Sequence, residues 1–167
     1  NNWAKESNRM LKEFDVIQIG NIYRFLTNRG DVDHVRNTAV KIFKESPHMF
    51  EQKNIHVGLA WAAKRKVLDK IKFFDYDIVG GNDTILFSSF MAPPDSKFFN
   101  WLMDRVIAKN CPPLLEKVKS YHSKCWDIVR GNVSYLPVVV DHIYHSDYGN
   151  RQYVTRYDCL KGFDPDV

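Results

Sequence analysis

The chain has 167 residues, of which 44% are hydrophobic, 26% charged and 14% aromatic, with a net charge of +4. Those values fit one ordinary folded domain, residues 1–167, and favour a packed domain over a disordered one. The cysteines, Cys111, Cys125 and Cys159, follow neither disulfide nor zinc-ribbon spacing, which favours a reducing, cytoplasmic compartment, and no apolar run reaches the ~20 residues of a membrane helix.

From the N-terminus, Trp3, Met10, Leu11 and Phe14 recur at helical spacing, and DVIQIG (Asp15 to Gly20) reads as a short buried strand. NIYRFLTNRG reads as a polar loop. From Asp31 or Asp33, acids placed to cap a helix, Val35, Ala39, Ile42 and Phe43 mark one apolar face that Pro47 ends. His56 to Ala63 is a second strand candidate, and KRKVLDKI after it a short amphipathic helix. In FFDYDIVGGNDTILFSSF the Gly80-Gly81 pair breaks the chain, and Asn82, Asp83 and Thr84 read as the cap of an apolar helix. Two more helices are expected, Ser96 to Ala108 and Pro112 to Val129, the second ending at Gly131. VSYLPVVVDHIYH is a strand interrupted by Pro137, which suggests an edge or a bulge, and a last helix runs from about Asn150 to Leu160. Strands alternating with helices predict an α/β fold with a parallel or mixed sheet.

Four groups of residues could carry chemistry. His142 and His145 sit three apart where an apolar run meets a polar turn. Residues so spaced on a strand point to opposite faces, so both reach one ion only where the backbone bends. Imidazole suits a divalent transition metal, and Asp141 or Asp147 would complete the shell or orient a ring; ordinary strand-end histidines are the bland alternative. Asp83, just after two glycines, is held near the positive end of a helix, where a carboxylate is favoured and can take a proton from a hydroxyl; simple capping is its plain alternative. Arg151 and Arg156, with Tyr153 and Tyr157, recur on one face of the last helix as donors for phosphate oxygens, or as a solvated face. Asp31-Val32-Asp33 has the spacing of acids that hold a sugar nucleotide through a metal, but a polar loop precedes it, and helix capping is its expected role. No GxGxxG or GxxxxGK[ST] motif occurs.

In order along the chain, these pieces resemble glycosyltransferases of the GT-A fold. GLAWAAKRKVLDKIKFFDYDIVGGNDTILF (Gly58 to Phe87) is similar to the acceptor-side motif of polypeptide N-acetylgalactosaminyltransferases and β-1,4-galactosyltransferases, in which two glycines precede an acidic pair or Glu-Asn. HIYHSDYGNRQYVTRYDCLK resembles the later strand of those enzymes in which a histidine ligates manganese. The resemblance implies a GT-A-like sheet flanked by helices and a transfer from a UDP- or GDP-sugar to a glycan or protein acceptor. Asp83 would be the catalytic base, Trp61, Gly80, Gly81 and Asn82 would bind the sugar, and Arg151 and Arg156 the diphosphate. His145, or else His142, would hold Mn²⁺ or Mg²⁺. Asn82 departs from the acidic residue usual there, and the nucleotide-binding half with its Asp-x-Asp is expected upstream of Asn1. A non-catalytic carbohydrate- or protein-binding domain of the same origin is the alternative. Dispersed Lys and Arg leave a nucleic-acid partner unexpected.

Overall fold

The computed structural model describes residues 2–47, 55–76, 80–100, 111–145, 155–160, 162, 163 and 166, the side chains of 156 and 157 excepted. The architecture is mixed α/β, with mixed sheets flanked by helices. The chain forms two compact units: residues 1–70 with 131–145, and residues 71–130 with 146–167.

In the first unit, strand β1 (Val16–Ile19) is buried at all four positions. It is the centre of a three-stranded sheet, antiparallel to β5 (Trp61–Ala63) and parallel to β6 (Val133–Leu136). A strand covered on both faces must be apolar throughout, and each such Val or Ile contributes about 1.5–3 kcal/mol by leaving water. Gln18 is the exception: its Oε1 accepts the Val40 N–H at 3.0 Å, and its Nε2 donates towards the carbonyls of His56 and Val57, 3.2 Å from each. That side chain ties helix α2 (Ala39–Glu45) and the 56–58 segment to the strand, with its own amide fully satisfied. Helix α1 (Trp3–Met10) and the short helix α3 (Arg65–Ile71) occupy the expected places.

A second sheet has the order β4-β3-β2-β7, made from β2 (Ile22–Leu26), β3 (Val32–Thr38), β4 (Ile55–His56) and β7 (Val139–His142). Strands β2 and β3 are an antiparallel hairpin where the sequence suggested a loop followed by a capped helix. The period-two signal was present in Tyr23 and Phe25, which are buried, with Arg24 exposed between them, but the polar residues around them obscured it. Thr27 closes the turn: its Oγ1 accepts the N–H groups of Arg29 and Asp31, and Gly30 has φ +88°. Asp31 and Asp33 therefore cap no helix; α2 starts only after Thr38. Gly20, at φ +116°, lets the chain turn from β1 into β2 so tightly that a Cβ there would stand 2.4 Å from the Tyr23 ring. The stretch expected as one strand from His56 is two short ones in different sheets. So is the stretch around Pro137: β6 and β7 flank it as edge strands of different sheets, so the edge expected from the proline is present on both sides, and the proline also marks the passage from one sheet to the other.

In the second unit, α4 (Asn82–Met91) packs on the 18-residue helix α5 (Pro112–Val129), the latter as expected from the sequence. The N-cap of α4 is Gly81, with no side-chain cap, so Asn82, Asp83 and Thr84 lie inside the first turn and are not its cap. Residues 97–100 are helical, and the rest of that expected helix lies outside the described residues. The C-terminal helix is a 3₁₀ turn, Arg156–Leu160; its expected start at Asn150 lies outside the described residues. Among the described residues, no helix is long and apolar enough to cross a membrane.

Candidate functional site

The candidate residues fall into two groups, one in each unit. In the first unit, β7 ends at His142, and the chain bends so that the rings of His142 and His145 lie 4.6 Å apart between centroids, at 44° to one another. The His145 Nδ1–H donates to the Ile143 carbonyl at 3.0 Å, which orients the ring through the backbone. His142 packs in turn on Phe25 of β2, at 4.6 Å. Around that phenyl ring stand His34, stacked at 4.4 Å and 6°, and His56, edge-on at 5.3 Å. Four of the six histidines thus meet at the β4-β3-β2-β7 sheet. Sequence reasoning missed His34 and His56, whose contribution depends on the hairpin and on the parallel pairing of β3 with β4.

Asp141, read from the sequence as a partner for a metal or ring, is engaged elsewhere. Arg24 donates to it in bidentate fashion at 2.6 and 2.8 Å across the β2–β7 pair. Those hydrogen bonds hold its carboxyl below the usual carboxylate range. Asp33 lies 2.7 Å from the His34 Nδ1. Among the described residues no group of three or more His, Cys, Asp or Glu side chains is arranged to hold a metal ion. Asp147 lies outside the described residues. Trp61, in the same unit, is partly exposed on β5, and its indole N–H donates to the Val57 carbonyl at 3.1 Å, so the ring is fixed in orientation.

In the second unit, Gly80 and Gly81 both have left-handed backbones, φ +93° and +106°, which only glycine adopts freely. The turn they make delivers Asp83 to the first turn of α4, partly buried, with Oδ1 accepting the Thr84 N–H at 2.8 Å. Its other carboxylate oxygen is not used in that bond. Next to it, the Asn82 Oδ1 is buried and has no hydrogen-bond partner among the described residues. A buried acceptor left without a donor costs about 1–3 kcal/mol, and a ligand hydroxyl is the kind of group that would offset this. Arg151 lies outside the described residues, and of Arg156 only the backbone, at the start of the 3₁₀ turn, is described.

Comparison with known proteins finds no matching family model, no matching characterised protein and no matching solved structure.

Proposed function

We propose that the chain carries the acceptor side of a metal-dependent glycosyltransferase of GT-A type, which moves a sugar from a UDP- or GDP-sugar to a hydroxyl of a glycan or protein. The observation that supports this reading best is the Gly80–Asp83 turn: two left-handed glycines, a buried amide oxygen at Asn82 with no partner among the described residues, and a carboxylate at the mouth of a helix. On this reading Asp83 accepts the proton of the acceptor hydroxyl as its oxygen attacks the anomeric carbon, and the bond to the diphosphate breaks on the opposite face, so configuration inverts. Asn82 offers an acceptor to a sugar hydroxyl in the second unit, and in the first the Trp61 indole offers a face to sugar C–H groups. His142 and His145 would hold Mn²⁺ or Mg²⁺, which supplies neutralisation of the leaving diphosphate. Arg151 and Arg156 would add donors to the same oxygens.

The test is sugar transfer from UDP- and GDP-sugars with Mn²⁺. Asp83→Asn should lower turnover by about 10²–10⁴-fold, the usual worth of a general base, and His145→Ala should raise the Mn²⁺ concentration needed. Unaltered turnover in both variants would remove the assignment.

A further inference from the structure

In the second unit, residues 71–76 and one face of α5 line an open cleft of about 340 Å³. Lys117, Ser120, Tyr121 and Lys124 lie at positions i, i+3, i+4 and i+7 of α5, so they share one side of that helix. Lys72 and Asp75 come from the opposite wall, giving three ammonium groups against one carboxylate in the lining.

The wall is held in place from α5. The Tyr121 hydroxyl donates to the Lys72 carbonyl at 2.8 Å, and the Lys124 ammonium donates to the Ile71 carbonyl at 3.2 Å, which leaves it further N–H groups. Lys117 is shared between Asp166, 2.5 Å away, and the face of Tyr76, at 5.3 Å. Lys72 directly follows the last residue of α3 and sits at φ +60°, the left-handed conformation in which helices commonly end and which glycine adopts freely. Phe73, 68% exposed, and Tyr76, 38% exposed, add two aromatic rings at the same place. A solvated basic helix face explains the lysines of α5 but not the concavity they share with residues 71–76.

We infer that this cleft binds a diphosphate group, through the ammonium groups of Lys72 and Lys124 and the hydroxyl of Ser120, without a metal ion. The inference does not depend on the glycosyltransferase reading, in which diphosphate binding requires a cation and lies with other residues.

Calorimetry in low salt with EDTA present, using inorganic pyrophosphate and, separately, adenosine diphosphate, tests it. Each should bind with one-to-one stoichiometry. Tighter binding of the nucleotide assigns the ligand as a nucleoside diphosphate whose ring meets Phe73 and Tyr76; equal binding assigns free diphosphate. Lys72→Gly keeps the backbone conformation and removes the ammonium, so it should weaken binding about fivefold or more without lowering the melting temperature. Lys124→Met should weaken binding similarly, and Lys12→Ala, remote in sequence and in the first unit, should not. No binding in EDTA, binding indifferent to Lys72→Gly and Lys124→Met, or an equal loss in Lys12→Ala would each overturn the inference.

Discussion

His122 sits on α5 with no exposed surface, its ring centroid 3.9 Å from that of Phe99. Its Nε2–H donates to the Ser88 carbonyl at 3.2 Å, so the neutral ring carries its proton on Nε2. The opposite nitrogen, Nδ1, is buried and has no partner among the described residues, so a second proton would find no acceptor there. Burial therefore lowers its pKa from 6.5 to about 4, only partly opposed by the Ser88 carbonyl and by Asp95. The folded value lies below the unfolded one, so the unfolded chain binds the proton more readily between them. The stability that a neutral His122 contributes is complete above about pH 6.5 and is lost as the pH falls towards 4. Over that whole window the loss is about 3 kcal/mol, and about 2 kcal/mol of it falls between about pH 7 and about pH 4.5. The assay is urea unfolding followed by circular dichroism at those two pH values, on the parent chain and on His122→Leu. The Ser88 carbonyl keeps its helical partner, the Ala92 N–H at 2.9 Å, so the substitution leaves that group bonded. The parent should lose about 2 kcal/mol more than the variant on acidification. Parallel losses in the two proteins would refute the argument.

Gly20→Ala should destabilise by about 3 kcal/mol, because it adds a clash with Tyr23 to a left-handed φ, and an unchanged melting temperature would contradict the packing described for the β1–β2 turn. Gln18→Leu keeps the volume but leaves the Val40 N–H buried without its acceptor; it should cost about 2 kcal/mol and speed amide exchange at Val40, and unaltered exchange there would show that this bond does not hold α2. The carboxyl of Asp15 is raised by burial but lowered further by Lys64, at 2.9 Å, and by Asn132, at 3.0 Å, for a net depression. Its contribution is present above the ordinary carboxylate pKa and fades as the pH falls through the folded value, so Asp15→Asn should flatten the acid limb of the stability profile; an identical limb would exclude the role.

Local patterning was enough to place α1, β1, α3, α4 and α5, because each carries its own apolar periodicity and its own start or stop signal: four consecutive buried residues in β1, Pro112 at the head of α5, the glycine pair before α4. The Gly80–Asp83 turn was legible for the same reason, since two adjacent glycines before an acid state their backbone requirement in the residues themselves. The β2–β3 hairpin was not, because what makes Val32 to Thr38 a strand is its partner across the ladder, and a helix-like spacing of Val35, Ala39 and Ile42 competed with it. Nor could Pro137 reveal that β6 and β7 belong to different sheets, since a proline reports a missing donor and not where the next strand finds its neighbour. The histidines show the division most clearly. Two of them stood out in sequence because they are three residues apart, whereas His34 and His56 join them on Phe25 only through pairings across strands that chain order does not encode. Periodicity along the chain therefore determined α1, β1, α3, α4 and α5, and hydrogen-bonded pairing between distant segments decided the remaining strands and which side chains meet.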